Sequence, residues 1–374
     1  MDAAKVIRKS FKFRIYPTKA QTVKLAQTLE LCRELYNAGL QERRDAWKLN
    51  KVSINYFDQQ NQLPEIKSIR DDLSSIHSQI LQDVLKRVDK TFKAFFNRIE
   101  RKEKAGFPRF KGRNRFDSFC FPQSGFTLTG NKLSLSKIGK VKIKFSREIT
   151  GKVKALTVKS ECGKWFVIFS VETATAPLPK TNKEIGLDAG IESFITLSDG
   201  TKIENFKYFE STEKKLRVAQ RKAARRKIGS NRRRKAVLLL KKIYAKIKNQ
   251  RNDFQHKVST RLVKDFDLIA IEKLNILGMS RSILAKQVND AAWHSFFQKL
   301  KYKAENAGKS VIEVNPNFTS QDCSACGDRV KKRLSERSHH CPKCGLKIHR
   351  DENAALNILK LGQSFLAQTK AVRL

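Results

Sequence analysis

The chain has 374 residues, of which 78 are Lys or Arg and 36 are Asp or Glu, giving a formal net charge of +42 at pH 7. This length favours about two or three domains. The hydrophobic content of 40%, with 24 Phe, indicates globular domains and excludes a disordered basic tail. So large a positive charge indicates a polyanionic partner. Nucleic acid is favoured over a membrane, because the sequence has no apolar signal core, no apolar run of about 18 residues and no basic amphipathic helix with an aromatic face.

The first half of the chain predicts a small β-barrel interrupted by helices. Residues 5–15 alternate like a strand with a positively charged face. Thr18 is a candidate N-cap for a long helix, bent near Gly39, and a second amphipathic helix follows. Residues 105–178 alternate with period two around glycine turns, which predicts hairpins that the first strand completes into a barrel. The helical domain, residues 17–104, is then an insertion into that barrel.

The second half predicts a different architecture. Residues 174–183 contain two prolines and few apolar side chains, which is typical of a linker. Three short strands with glycine turns follow, then a helical stretch over about residues 213–266, the apolar strand LIAIE, a helix near 290–307 and the strand SVIEVN. A cysteine-rich segment at 317–346 precedes a closing helix. Three antiparallel strands followed by strands alternating with helices are the order expected of an RNase H-like α/β domain.

Three acids stand at the ends of predicted elements. Asp188 follows an apolar strand, Glu272 closes LIAIE, and Asp351 opens the last helix, where free N–H groups favour a negative charge. Taken singly, Asp188 could be a turn former, Glu272 a solvated strand end and Asp351 a helix cap. Together, in so basic a chain, they favour metal ligands. Two Mg²⁺ ions about 3.5–4 Å apart need such converging carboxylates to cleave a phosphodiester, so we predict Asp188, Glu272 and Asp351 to be catalytic.

Four of the seven cysteines form two C-x₂-C pairs separated by fourteen residues. This spacing predicts one structural Zn²⁺ bound by Cys323, Cys326, Cys341 and Cys344, with His340 as an alternative ligand. A zinc with four protein ligands cannot also activate water. Its expected role is to fold a small insertion that presents basic side chains to phosphates, namely Lys331, Lys332, Arg333 and Arg337. The other cysteines are Cys32, Cys120 and Cys162, which indicate a reducing cytosol.

Two further segments indicate contact with nucleic acid. Seventeen basic residues and no acid lie between Lys214 and Arg251, and such a run repels itself unless phosphates are close. The expected contacts in this run are Arg225, Arg226, Arg232, Arg233 and Arg234. Between residues 107 and 121, aromatic and basic side chains interleave, which suits stacking on unpaired bases. The aromatic members are Phe107, Phe110, Phe116, Phe119 and Phe121, and the basic ones are Arg109, Lys111, Arg113 and Arg115. The equally plausible alternative is a barrel core with solvated Arg.

The motifs GLDAG, IEKLNILGM, TSQDCSACG, CPKCG and HRDENAALNIL, in this order, resemble the TnpB (OrfB) proteins of insertion sequences, relatives of the miniature type V CRISPR effectors. The opening FKFRIYPTKAQ and the segment IHSQILQDVLKRVDKTFKAFF extend the resemblance over most of the chain. It implies a Mg²⁺-dependent, RNA-guided DNA endonuclease with the catalytic Asp, Glu and Asp at Asp188, Glu272 and Asp351. His349 departs from the family, since many relatives have Asp there. Because Asp351 is retained, activity is expected to survive.

The resemblance also implies the domain arrangement, a multidomain α+β and α/β fold. A wedge-like β-barrel (1–16 and 105–178) is interrupted by a helical recognition domain (17–104), and an RNase H-like (RuvC) nuclease domain (179–316 and 347–374) carries a zinc-ribbon insertion (317–346). Base pairing reads most of the target. By resemblance, the expected readers of a short adjacent motif are Ser78, Gln79, Gln82 and Lys86, helped by Gln123, since Gln suits bidentate contact with adenine. The alternative is an ordinary solvated helix face.

The implied partners are a guide RNA from the transposon end and double-stranded target DNA with its displaced strand. One protein per RNA in the prokaryotic cytoplasm, associated with the nucleoid, is expected. Two alternatives stay open: a guide-directed repressor or accessory transposition protein without nuclease activity, and an autonomous DNA-strand transferase. The three acids weigh against the repressor, and the lack of a tyrosine nucleophile with paired histidines weighs against the transferase. A sugar-kinase or actin-type ATPase fits neither the charge nor the cysteines.

Overall fold

The computed structural model describes residues 6–113, 115–279, 281, 284–333 and 336–371. The chain divides into two compact units, Met1–Ala174 and Thr175–Leu374, and the division falls within the predicted linker. Each unit encloses its own apolar core. Within the part of the chain that the structure describes, no helix combines the length and the apolar character needed to cross a bilayer.

The first unit contains the predicted strand, the two long helices and the hairpins, together with three short helices that the sequence did not indicate. The long helix begins at a capping box in which Thr18 and Gln21 bond each other's backbone N–H groups, and it continues through Gly39. The elements of the first unit are β1 (Val6–Tyr16), α1 (Lys19–Asn50), α2 (Tyr56–Asn61), α3 (Leu63–Ile69), α4 (Asp71–Ser74), α5 (Ser78–Glu100), β2 (Ser118–Phe121), β3 (Phe126–Thr129), β4 (Lys132–Leu135), β5 (Gly139–Lys144), β6 (Lys152–Glu161) and β7 (Lys164–Ala174).

These strands form one seven-stranded sheet in the order β2-β6-β7-β1-β5-β4-β3. The first strand lies near the middle, antiparallel to β7 and β5, which agrees with the prediction that it completes the hairpins. The two edge strands, β2 and β3, follow each other in the chain, and the rings of Phe121 and Phe126 lie 6.3 Å apart. The sheet must therefore curl enough to bring the end of β2 near the start of β3. A continuous apolar core includes residues of both the sheet and the helices, and both lie within one compact unit.

The second unit is built on a five-stranded mixed sheet in the order β10-β9-β8-β11-β12. Strands β8, β9 and β10 are antiparallel neighbours, whereas β8, β11 and β12 run parallel. This is the arrangement predicted from the order of strands and helices. The strands are β8 (Glu184–Asp188), β9 (Ser193–Leu197), β10 (Lys202–Glu204), β11 (Leu268–Glu272) and β12 (Ser310–Val314), and the helices are α6 (Tyr208–Ala224), α7 (Asn231–Asp265), α8 (Ile276–Met279), α9 (Ala285–Ala291), α10 (Trp293–Ala307) and α11 (Arg350–Ala371).

Helix α11 lies directly on this sheet because glycines remove side chains from the contact. A Cβ added at Gly186 in β8 would lie 2.1 Å from the carbonyl oxygen of Ala355 and 2.8 Å from the nitrogen of Leu359. A Cβ added at Gly362 in α11 would lie 2.6 Å from the Cβ of Ala270 in β11. All three distances are too short for real Cβ atoms, so only glycine permits this approach. The position of α11 on the sheet is thereby fixed at two points.

The start of β11 is anchored by Asp267. Its carboxylate accepts hydrogen bonds from the backbone N–H groups of Thr181 at 2.9 Å and Asn182 at 2.8 Å, and it pairs with the buried Lys309 ammonium. The hydrogen bond from Lys309 and those from the two N–H groups hold the pKa of Asp267 well below its usual range. The predicted linker is thus attached to the strand that ends at Glu272.

We expect Asp267→Asn to lower the free energy of unfolding by about 2 kcal/mol at neutral pH, since Lys309 would remain buried without its carboxylate. A depressed pKa contributes stability above the unfolded value near 3.9, and this contribution is lost as the pH falls below it. The difference between the wild-type protein and the variant in urea titrations should therefore shrink below about pH 4. An equal difference at pH 3 and pH 7 would contradict this assignment.

Candidate functional site

Asp188 and Glu272 lie side by side at one edge of the second sheet. Strands β8 and β11 are parallel neighbours, and Leu187 pairs with Ile271. The next residue of each strand is the acid, so the two acids lie on the same face of the sheet, at the usual strand separation of about 4.8 Å. Glu272 is buried and Asp188 is half-buried. The register of one strand pair brings together two residues that are 84 positions apart in the chain.

Helix α11 brings Asp351 to the same edge. Asp351 lies four residues, or about one turn, before Ala355, the residue whose carbonyl lies against Gly186. Gly186 in turn lies two residues before Asp188 on the same face of β8. Asp351 is 6% exposed, and it lies in the first turn of the helix, as the sequence predicts. The close contact at Gly186 therefore brings the start of α11, with Asp351, near the two strand ends.

The three carboxylates interact electrostatically. The pKa of Asp188 is raised well above its ordinary value, first by burial and then by the negative charges of Glu272 and Asp351. Burial also raises the pKa of Glu272, although a hydrogen bond from the Thr319 hydroxyl opposes that effect. Arg350 supplies nearby positive charge, with Nε 3.3 Å from Asp351 Oδ1. A bound divalent cation would stabilise a buried cluster of acids that has so little neighbouring positive charge.

His349, which departs from the resembling motif, contacts the same carboxylate. Its Nδ1 accepts a hydrogen bond from the backbone N–H of Asp351 at 3.2 Å and lies 3.9 Å from Asp351 Oδ2. It therefore satisfies a free N–H group at the start of α11, a role that a short acidic side chain can also fill.

The acids and the cysteines differ in how tightly their ligand atoms are grouped. Among the described residues, the four cysteines are the one group of three or more His, Cys, Asp or Glu side chains whose ligand atoms all lie within 4.8 Å of one another. The three acids are more widely spaced. Wider spacing fits Mg²⁺ sites, in which water and phosphate oxygens supply most ligands, better than it fits a closed site of protein ligands alone.

The cysteine cluster has the geometry of a tetrahedral metal site. The Sγ atoms of Cys323 and Cys344 lie 3.6 Å apart, as do those of Cys326 and Cys341. Four sulfurs at about 2.3 Å from zinc would be separated by about 3.8 Å. Gly327 and Gly345 follow the second cysteine of each pair with φ of 77° and 73°, a conformation that favours glycine. The cluster could therefore bind zinc, flanked by β13 (Ser338–His340) and β14 (Lys347–His349).

The histidine beside this cluster is not the one that the sequence suggested. His340, considered as an alternative ligand, is exposed and lies outside the group of four sulfurs. His339 is fully buried and contacts the amine of Lys332. Burial would raise the pKa of Cys323, but hydrogen bonds from the backbone of Cys326 and Ala325, with a further one from His339, lower it to about 6. The alternation of β13 turns one histidine inward and its neighbour outward.

The basic residues predicted to contact nucleic acid separate into exposed and structural groups. Arg233 is half-buried, and its Nη1 donates to the carbonyls of Ala223 at 2.7 Å and Arg226 at 3.1 Å, which caps the end of α6. Lys332 is also half-buried, and Arg337 lies 3.5 Å from the Glu192 carboxylate. The exposed members are Arg109, Arg113, Arg115, Arg225, Arg226, Arg232, Arg234, Lys331, Arg333 and Arg337. These exposed side chains are available to phosphates.

The aromatic residues separate in the same way. Phe107 and Phe110 are 48% and 45% exposed, and the Arg44 guanidinium lies 5.2 Å from the ring of Phe110. The other three predicted members, Phe116, Phe119 and Phe121, are buried in the core of the first unit. Base stacking therefore stays a prediction for Phe107 and Phe110. The barrel-core alternative describes the three buried rings.

The residues expected to read the target-adjacent motif lie together at the start of α5. Gln79 Oε1 accepts from the backbone N–H of Ser124 at 3.0 Å, and its Nε2 lies 3.4 Å from Gln123 Oε1. Ser78 accepts a hydrogen bond from Lys67 at 2.8 Å. Gln82 is half-buried and Lys86 is exposed. The structure thus brings Gln123 beside Gln79, while the readout role itself stays a prediction.

Family models match three segments of the chain. Residues 167–282 match the IS605 OrfB family, described as a probable transposase, and residues 293–358 match a Cas12f1-like TNB domain. Residues 1–51 match a model described as a helix-turn-helix domain. In this chain, the described part of that segment forms one strand and one 32-residue helix, so the description does not fit its fold.

Two relatives match nearly the whole chain. A protein of Escherichia coli K12 named as the RNA-guided DNA endonuclease InsQ is 32% identical over 96% of this chain and 93% of its own length. A protein of Streptomyces pristinaespiralis with a similar name is 33% identical over 98% of this chain and 92% of its own. A Cas12f1 solved with guide RNA and target DNA has a similar fold, with a TM-score of 0.61 at 14% identity over 94% of this chain and 98% of that one. The chain belongs to the TnpB (OrfB) family of RNA-guided DNA endonucleases encoded by insertion sequences.

Proposed function

We propose that this protein binds a guide RNA derived from the transposon end, recognises a short motif beside the target, and hydrolyses guide-matched DNA at the site formed by Asp188, Glu272 and Asp351. The names of the near full-length relatives support the guided endonuclease activity. The observation that carries the assignment of the site is the convergence of three buried or half-buried acids at one sheet edge, close enough for Glu272 and Asp351 to raise the pKa of Asp188. The proposed location is the prokaryotic cytoplasm.

The carboxylates of Asp188, Glu272 and Asp351 would hold divalent cations, which supply activation of the attacking water and stabilisation of the leaving oxygen when bound. The chain contributes the positions of the acids. The register of β8 and β11 places two of them, and the contact between Gly186 and α11 places the third. Burial keeps bulk water away from Glu272 and Asp351, which strengthens their interaction with a cation. Exposed Arg side chains on α7 would hold the phosphate backbone without reading bases.

The cysteine cluster would bind one zinc ion with a structural role, since all four ligand positions are filled by protein sulfur. The guide RNA would pair with one strand of the target DNA, and the displaced strand would lie along basic surface. One protein per RNA is the stoichiometry we propose.

Purification followed by a cleavage assay tests the guided activity. We expect the protein to retain RNA that maps to the transposon end, and to linearise a plasmid with a matching target only when Mg²⁺ is present. A plasmid with mismatches to the guide, and the same reaction with EDTA, are the controls. Cleavage without RNA would contradict the proposal, and guide-dependent binding without cleavage would identify a repressor instead.

A further inference from the structure

Thr319 connects the candidate catalytic site to the first pair of cysteines. It is 5% exposed, and its hydroxyl donates to Glu272 Oε1 at 2.6 Å. The same hydroxyl oxygen lies 3.1 Å from the carbonyl of Pro316. Thr319 lies only four residues before Cys323. The segment that orients one acid is therefore continuous with the segment that supplies a sulfur to the proposed zinc site.

Two asparagines of α11 hold this segment at both ends. Asn357 Nδ2 donates to the carbonyl of Thr319 at 2.9 Å and to the carbonyl of Asp322 at 2.7 Å. Asn353 is fully buried, donates to the same Asp322 carbonyl at 2.8 Å, and accepts from the backbone N–H of Ser324 at 2.9 Å. The backbone on each side of Cys323 is thus attached to α11, the helix that begins beside Asp351.

We propose that Thr319 is a positioning residue for Glu272, and that Asn353 and Asn357 form with it a hydrogen-bonded connection through which the folded first zinc knuckle determines the spacing between Glu272 and Asp351. This inference rests on the proposed function, because it assigns the connection to the same metal-binding acids. Glu272 ends a strand and Asp351 starts a helix, so neither backbone element by itself sets the distance between their side chains.

The chemistry of the contact supports a positioning role. A hydrogen bond from a hydroxyl to a buried carboxylate is charge-assisted, and it restricts the rotamer of the Glu side chain. Glu has three side-chain torsions, and without this contact its carboxylate would populate more orientations. Residues that orient metal ligands typically change metal affinity by about 10- to 100-fold when they are removed. Thr319 contacts one proposed ligand and cannot itself replace a carboxylate at Mg²⁺.

Thr319→Val tests this inference, because it removes the hydroxyl and keeps the shape of the side chain. We expect the Mg²⁺ concentration that gives half-maximal cleavage to rise by about 10-fold, with a smaller change in the rate at saturating Mg²⁺. Calorimetric titration of the guide-bound protein with Mn²⁺ should show a matching loss of affinity. Thr319→Ser should restore both values, and Ser364→Ala, which removes a hydroxyl that donates within α11, should change neither.

Asn357→Leu tests the connection to the cysteines. We expect a higher Mg²⁺ midpoint together with faster loss of zinc to a chelator, since the variant loses the bonds to the carbonyls of Thr319 and Asp322. Gln363→Leu is the matched control on the same helix, because its hydrogen bond to the Glu184 carboxylate is exposed. Wild-type zinc release in Asn357→Leu would contradict the connection.

The failure of this inference is distinguishable from the failure of the proposed function. If the wild-type protein cleaves guided DNA and Thr319→Val has wild-type Mg²⁺ and Mn²⁺ dependence, the positioning role is wrong and the endonuclease assignment stands. If the wild-type protein binds no Mn²⁺ at this site and does not cleave, the proposed function itself fails.

Discussion

Asp188→Asn is expected to abolish cleavage of guide-matched DNA while the protein still binds its RNA and its target. The substitution keeps the size of the side chain and removes one of the three charges that would hold the cations. Because metal ions contribute several kcal/mol of transition-state stabilisation and each 1.36 kcal/mol corresponds to tenfold in rate, we expect a loss of at least about a thousandfold. A plasmid assay with quantified product is the measurement.

The same variant should be more stable than the wild-type protein when divalent cations are absent. The raised pKa of Asp188 means that its ionised form is disfavoured in the folded state, first by burial and then by Glu272 and Asp351. Removing that charge should raise the Tm in EDTA by a few degrees, and added Mg²⁺ should stabilise the wild-type protein more than the variant. Asp253→Asn, at an exposed ion pair in α7, is the control. Cleavage at the wild-type rate by Asp188→Asn would exclude this residue as a ligand.

Gly186→Ala is expected to disable the nuclease site although this residue contacts neither metal nor DNA in the proposal. The added Cβ would lie 2.1 Å from the carbonyl oxygen of Ala355, so α11 must move away from β8. Overpacking of this kind costs about 1–3 kcal/mol, and a backbone atom cannot rotate out of the way as a side chain can. Because α11 carries Asp351, a displacement near 1 Å could reduce cleavage by about 100-fold.

Thermal unfolding and cleavage rates measure these two effects separately. Gly106→Ala is the control, since a Cβ added there meets nothing within 4 Å. We expect Gly106→Ala to match the wild-type protein and Gly186→Ala to lose both stability and activity. A Gly186→Ala protein with the wild-type Tm and rate would mean that the contact between β8 and α11 does not position Asp351.

The cysteine cluster and the long helices could be predicted because their signals are local. The two C-x₂-C pairs carry their own knuckle geometry, and the glycine after each pair occupies the conformation that the turn requires. The capping box at the start of α1 is formed by Thr18 and Gln21, which lie within four residues of one another. Alternation and spacing likewise indicated the strands, and their order predicted the mixed sheet of the second unit.

Contacts between distant segments decided what the sequence left open. Arg233 and Arg232 are neighbours with the same chemistry, yet one caps α6 and the other is exposed. The sequence showed the motif TSQDC, but nothing in it indicated that the Thr319 hydroxyl would meet Glu272.

The sequence by itself determined the charge, the long helices and most of the strands, the four cysteines that cluster and the three candidate acids. Only the tertiary structure decided that the acids converge, which basic and aromatic side chains stay exposed, and which hydroxyl donates a hydrogen bond to Glu272. The physical reason is that local patterns act through backbone geometry within a few residues, whereas convergence depends on strand register and on how closely a helix can approach a sheet at Gly186.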